Sequence, residues 1–248
     1  MIKYLVALCL CLVGLVQAAR ADVLMVADEF PAMQNLAGKL KSEEHINSKI
    51  IGQKDLPDNL VQYEAIIIYI HRVLDAKVEH AFIDYTKAGG KLLVLHHSIS
   101  SGKRTNDAWF SFLGVDLPPV DYKWIEGVDL TVVSLNPNHF ITTNKVVYPL
   151  HIPFVKTNAP AVDATLPGFT LIHSEVYLNH VLIGPRTILL GTKYLEPASG
   201  VTYMQDRTGW IKPAGKGQII YLMPGHNAVD FLDPTYSRIV LNAVIYKP

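Results

Sequence analysis

The sequence predicts an α/β domain built on a mainly parallel central sheet, with antiparallel additions in its second half. Three observations lead there. Compact apolar runs, "DVLMVAD" (Asp22 to Asp28), "YEAIIIYIH" (Tyr63 to His71) and "KLLVLHH" (Lys91 to His97), lack the alternation of half-exposed strands, as strands covered on both faces do. Segments with helical spacing separate these runs, which gives the strand-helix-strand rhythm of a parallel sheet. Further along, apolar runs follow one another with fewer helices between them, the pattern of antiparallel strands.

The N-terminus reads as a leader rather than as part of the domain. Lys3 supplies a positive start, an apolar run from Tyr4 to Val16 is broken only by Gly14, and Ala19 and Ala21 bracket Arg20 as small residues at a cleavage site. The run is shorter than the roughly 18–20 residues that span a bilayer. The expectation is a secretory signal over residues 1–21 and one domain over 22–248, exported to a secreted or periplasmic location, with no membrane segment after cleavage. Both cysteines, Cys9 and Cys11, fall inside the leader, so the remaining chain has no disulfide, no thiolate nucleophile and no cysteine-ligated metal.

Within the domain, Met33, Leu36 and Leu40 mark one side of a helix over Pro31 to Glu44. Asp75 is placed to cap a second helix whose apolar face is Val78, Ala81, Phe82 and Tyr85, closed by Gly89 and Gly90. The later strands are "VDLTVVS", "GFTLIHSEVY", "RTILLGTKYL" and "GQIIYLMPGH", and Asn144 to Pro167 reads as an irregular excursion over the sheet. Asp233 and Pro234 form an N-cap and first-turn pair for a last helix with Ile239, Val240, Ala243 and Val244 on its apolar face. No repeat, low-complexity tract or linker divides the domain.

Charge narrows the partners. The chain has 22 basic and 22 acidic residues, which leaves no electrostatic grip for nucleic acid or anionic lipid. A small or neutral ligand fits better. No GxGxxG follows a strand and no Walker A loop is present, so a dinucleotide or nucleoside triphosphate is not expected; GxSxG and HExxH are also absent.

Open parallel sheets bind ligands beyond the carboxyl ends of their strands, so polar residues there carry the most functional weight. His96 and His97 end the third apolar run. Alternation along a strand sends their rings to opposite faces unless the backbone turns sharply there. Glu175 follows an apolar run in "FTLIHSEVY", His226 follows Gly225 in "IIYLMPGHN", and His139 sits in the Pro- and Asn-rich turn "NPNHFIT". Trp109, Trp124 and Trp210 have faces able to stack on sugar rings, but a tryptophan is more often core or interface, and none is given a site role.

The order of "GGKLLVLHHS", a segment with Trp109, "NHFIT", "SEVY" and "GKGQIIYLMPGHN" before a terminal helix resembles the ThuA-like (trehalose utilisation) family across nearly all of the domain. The resemblance implies a flavodoxin-like α/β sandwich of the class I glutamine amidotransferase type. His96 matches the family's "LH", and His139 to Thr142 its "HP-I-T" with Phe140 in place of proline. Ser174, Glu175, Val176 and Tyr177 match its "DE-x-Y" with serine for aspartate, and Gly225 and His226 match its closing "GH". Amidotransferases of this fold carry a cysteine after the third strand, where this chain has His96 and His97, so thioester chemistry is not available.

The resemblance implies carbohydrate catabolism, with a disaccharide or keto-glycoside as substrate. Expected catalytic residues are His96, His97, Glu175 and His226, with His139 and Tyr177 as substrate contacts. Glu175 would act as general base or acid while His96 and His226 polarise or protonate a sugar oxygen. A divalent metal held by His96 or His97, His226 and Glu175 is a variant of this expectation. A non-catalytic carbohydrate-binding or scaffold domain is the alternative, favoured by Ser174 and Phe140. Glycoside hydrolysis by two carboxylates would need Asp28 as partner to Glu175.

Overall fold

The computed structural model describes residues 23–155 and 165–248; the leader expected over 1–21 lies outside them. The chain opens with β1 (Val23–Ala27), α1 (Phe30–Glu44), β2 (Ser48–Ile51), β3 (Ala65–Tyr69), α2 (Ala76–Lys87) and β4 (Lys91–Leu95). β1, β3 and β4 are buried at every position, as their unbroken apolar runs demand. α1 buries Ala32, Met33, Leu36 and Leu40, with Pro31 in its first turn, where the missing N–H has no intrahelical partner to lose.

The second half contributes α3 (Trp109–Leu113), β5 (Val115–Asp116), β6 (Lys123–Ser134), α4 (Phe140–Thr143), β7 (Leu150–Pro153) and β8 (Thr165–Leu178). It ends with β9 (Val181–Leu182), β10 (Thr187–Leu195), β11 (Thr202–Ala214), β12 (Gly217–Leu222) and α5 (Pro234–Ile245). Ten strands form one sheet in the order β2-β1-β3-β4-β12-β11-β10-β6-β8-β7. From β2 to β12 neighbours run parallel, and from β12 to β7 they run antiparallel. β5 and β9 pair separately.

The parallel half thus carries the expected flavodoxin-like arrangement, and the antiparallel additions extend it by as many strands again. The chain leaves β1 and β3 toward opposite sides of the sheet, so right-handed crossovers put α1 and α2 on opposite faces. α5 packs beside α1, and Asn35 of α1 donates to the Ala228 carbonyl at 2.8 Å.

Several local expectations need correction. β2 is a four-residue, half-exposed strand without a continuous apolar run, and β11 is polar over its first half, so neither stands out in the sequence. β7 forms inside the stretch read as irregular. Asp75 occupies the N-cap position of α2 but its side chain makes no cap hydrogen bond, whereas Asp233 accepts from the Tyr236 backbone N–H at 2.8 Å. His96 and His97 lie outside β4, in a 3-10 turn over His96–Ile99.

β6 and β8 do most to place the site. Their pairing shifts register on both sides of Val128, where Gly127 and His173 adopt left-handed backbone conformations (φ 69° and 53°). Bulges of this kind bend and twist a ribbon sharply. The outer half of the ribbon therefore swings back across the carboxyl ends of β4 and β12, although β8 is separated from β12 by three strands in the sheet.

Two glycines make opposite demands. A Cβ on Gly217 would stand 2.2 Å from the carbonyl oxygens of Gly90 and Thr86, whereas one on Gly38, exposed in the middle of α1, would meet nothing within 4 Å. Gly217→Ala should lower stability by about 1–3 kcal/mol or more through overpacking against backbone. Gly38→Ala should raise it by about 0.5–1 kcal/mol through helix propensity and unfolded-state entropy. Urea unfolding midpoints of the two variants check both signs.

Candidate active site

The site starts from a strained turn. As β4 ends, His96 takes a left-handed conformation (φ 46°), which costs a non-glycine residue about 1–2 kcal/mol. Side chains from neighbouring loops hold the turn in place. Ser98 Oγ accepts from the Ile70 N–H and donates to the Ile68 carbonyl, both at 3.0 Å, and Trp109 Nε1 donates to the Ser98 carbonyl at 2.9 Å. The fully buried Lys103 ammonium donates to the carbonyls of Ile70, His71 and His97 at 2.6, 2.6 and 2.9 Å, while burial pulls its pKa down to about 7. The turn is the sharp one that consecutive rings on one side require, and the rings of His96 and His97 lie 5.1 Å apart.

His96 reaches two strands at once. Nδ1 donates to the Met223 carbonyl at 2.6 Å, because Leu95 and Leu222 are paired at the ends of β4 and β12 and the next residues of both strands emerge together. Nε2 lies 2.7 Å from Glu175 Oε2 and 3.1 Å from His226 Nδ1. Glu175 Oε2 is also 3.2 Å from His226 Nδ1 and accepts from the Tyr177 hydroxyl at 2.7 Å. His96, Glu175, His226 and Tyr177 therefore form one connected set, contributed by the ends of β4 and β12 and the folded-back part of β8.

Its electrostatics follow from burial and donors. Glu175 is 4 % exposed. Burial pushes its carboxyl up, but hydrogen bonds from His226, His96 and Tyr177, with the His96 charge, outweigh this and hold it at about 2. The hydrogen bond to Glu175 raises the pKa of His226 against the opposing effect of burial. Tyr177 is pushed far above the ordinary phenol range by burial and by the Glu175 charge, so its hydroxyl stays a donor. His226 alone of the three acid–base side chains reaches solvent, with its side chain 23 % exposed, and among the described residues its Nε2 has no hydrogen-bond partner.

His226 is itself firmly placed. Tyr69 Oη donates to the carbonyls of Gly225 and His226 at 3.0 and 2.8 Å, and Tyr236 Oη donates to the Pro224 carbonyl. Gly225 has φ 107°, and a Cβ there would stand 2.6 Å from Tyr236 Oη, so glycine is required for the approach.

The other sequence candidates fall in different places. His97 is 1 % exposed, packed between Tyr69 (4.4 Å between centroids) and His71 (4.7 Å), with neither ring nitrogen hydrogen-bonded; burial and neighbouring cations hold its pKa far down, so the ring is neutral. His139 stands apart from the cluster: it caps α4, accepting from the Ile141 N–H, and packs on Tyr246 at the far end of α5 from His226. Tyr177 belongs to the cluster, but as a buried donor to Glu175 rather than a surface contact.

Asp28 is spent on the backbone, accepting from the N–H groups of His71 and Arg72 at 2.8–2.9 Å, and so does not partner Glu175. Ser174 faces away from the cluster and donates to Asp230 Oδ2 at 2.8 Å. Asp230 completes a capping box with Asn227, so Ser174 acts on the site through the turn that follows His226. Sequence reasoning misses Tyr69, Lys103 and Asp230. Tyr69 ends a buried strand and the carboxyl-end rule could have flagged it, whereas Lys103 and Asp230 carry no local signal.

Two kinds of chemistry fit this set. As a proton device, Glu175 orients His226 through Nδ1 and leaves Nε2 free to exchange a proton at the opening. As a ligand set, His96 Nε2, His226 Nδ1 and Glu175 Oε2 lie 2.7–3.2 Å from one another, close to the ~2.9–3.4 Å separations that metal–ligand bonds of about 2.0–2.1 Å impose. The Nδ1–H of His96 on a backbone carbonyl is the outer contact that fixes a metal-binding tautomer. A nitrogen of His97 comes within 4.8 Å of donor atoms on both His96 and His226.

The fold has solved counterparts. A putative ThuA-like protein from Bacteroides uniformis ATCC 8492 superposes with TM-score 0.62 at 20% identity, covering 93% of this chain and 94% of that one. A cytoplasmic protein from Salmonella typhimurium LT2 gives 0.59 at 14% identity, covering 90% and 98%. A β-galactosidase from Rahnella sp. R3 gives 0.55 at 12% identity, covering 89% of this chain but 31% of the enzyme. At these identities the likeness concerns the fold. No curated protein matches the sequence. The model of the ThuA family, described as trehalose utilisation, matches residues 22–247, and the chain belongs to that family.

Proposed function

We propose that this protein acts on a disaccharide or keto-glycoside by acid–base chemistry at His96, Glu175, His226 and Tyr177. One observation carries the reading: a buried carboxylate holds a half-buried imidazole by Nδ1, at the carboxyl ends of parallel strands, with the other imidazole nitrogen unengaged at the opening. His226 takes the role at the substrate that sequence reasoning gave to Glu175, because Glu175 is enclosed and already accepts from three donors. On a keto-glycoside, His226 removes the proton beside the ketone, the electron pair moves to expel the glycosidic oxygen, and the imidazolium returns the proton to the leaving group. His96 and Tyr177 keep Glu175 ionised and fixed while this happens.

Turnover of disaccharides and of their 3-keto derivatives tests the reading. His226→Ala and Glu175→Gln should each lower kcat by about 10²–10⁴, the usual contribution of a positioned acid or base. Turnover that survives both substitutions sinks the site assignment. Binding without turnover in the parent protein supports the alternative of a non-catalytic carbohydrate-binding domain.

The donor spacing favours a second reading in which a divalent metal sits between His96, His226 and Glu175 and supplies Lewis acidity to a substrate oxygen. Elemental analysis of protein purified without chelators should then give about one metal per chain, lost in Glu175→Gln. Metal-free protein with unchanged activity on metal addition rejects it.

The leader composition supports an exported protein. Expressed with its own N-terminus in a host with a secretory pathway, the exported form should begin at Asp22 by intact mass. Retention of the full chain in the cytoplasm overturns this.

A further inference from the structure

The reactive cluster lies under one face of the β6–β8 ribbon, and that face has more on it than the cluster uses. Residues directly opposite each other in an antiparallel pair put their side chains on the same face. Trp124 is opposite Tyr177 and Glu126 is opposite Glu175. Since Tyr177 and Glu175 turn toward His96, Trp124 and Glu126 share their face. Alternation agrees: Lys123, next along the strand, points the other way to Glu196 and Tyr203 at 2.9 and 3.0 Å, while Tyr122, two before Trp124, packs against Tyr177 with ring centroids 6.2 Å apart.

The three tryptophans are used differently. Trp109 and Trp210 are fully buried, the first bonded to the Ser98 carbonyl and the second lying under the Arg186 guanidinium at 4.5 Å. Trp124 is 54 % exposed, and among the described residues its ring stacks on no other aromatic. An exposed indole on the face that carries Tyr177 and Glu175 has an apolar surface left in water. Glu126 is exposed too, and its charge is felt at His226.

We infer that Trp124 and Glu126 form the rim on which a pyranose ring is held against the cluster, the indole stacking on the sugar's C–H face and the carboxylate accepting from its hydroxyls. A pyranose is the occupant because it offers both surfaces at once, an apolar face and a ring of hydroxyl donors, and because Trp124 and Glu126 stand opposite Tyr177 and Glu175, which bond within the cluster that includes His226. The assignment departs from the sequence reading, which gave Trp124 no site role. It rests on the carbohydrate reading of the cluster and adds the residues that bind the ring.

Acrylamide quenching of indole fluorescence reports Trp124, because the other two indoles are buried. Trehalose or its 3-keto derivative should protect the fluorescence saturably. Trp124→Ala should weaken binding of that sugar by calorimetry about tenfold and Glu126→Gln severalfold, with unchanged melting temperature for these exposed positions. If the parent protein binds either sugar while both variants keep its affinity and Trp124 stays open to quencher, the rim is wrong and the carbohydrate reading stands. If the parent protein binds neither sugar, both fail.

Discussion

The contact between His96 Nε2 and Glu175 Oε2, at 2.7 Å and almost fully enclosed, joins two parts of the molecule that the sheet keeps far apart. His96 belongs to the parallel half and Glu175 to β8, separated from β12 by three strands. With Nδ1 of His96 donating to Met223, the proton between Nε2 and the carboxylate has to be present on one side or the other, or two lone pairs would face each other without water. That requirement makes the pair sensitive to its surroundings. Removing Glu175 would take away the acceptor that His96, His226 and Tyr177 share.

The bulged ribbon exists in service of that contact. A regular β6–β8 pair would continue the sheet's twist away from β4, and Glu175 would end in solvent. Left-handed residues at Gly127 and His173 turn it back, and the left-handed His96 meets it from the other side. Strain therefore sits on both sides of one hydrogen bond. Around it the fold commits unusual resources: a buried lysine on three loop carbonyls, a serine bridging two strand ends and a tyrosine under the His226 backbone. Each fixes backbone rather than touching the opening, which is how a site is made rigid without occupying its own space.

The departures from the family pattern have separate consequences. Ser174 donates to Asp230, which caps the turn that follows His226. Phe140 lies with His139 against Tyr246, at the other end of α5, and so bears on packing there rather than on the cluster. Neither change touches the contact between His96 and Glu175.

Read alone, the sequence determined the parallel strands β1, β3, β4 and β12, the two flanking helices, the last helix with its Asp233 cap, and His96, Glu175 and His226 as candidates for one site. Those features are local: an apolar run, a helical period, a cap residue, a polar group at a strand's end. It did not determine β2, β11 or β7, whose exposed positions dilute the pattern, nor that His97 is a packed neutral ring, His139 a helix cap and Asp28 a backbone brace. Only the tertiary structure decided that Glu175 is enclosed and His226 open, and that Trp124 pairs with Tyr177 across the ribbon with its indole exposed. Those outcomes hang on where two bulges turn a ribbon, and a bulge is set by one residue's backbone angle and the packing around it, which leaves almost no trace in hydrophobic periodicity.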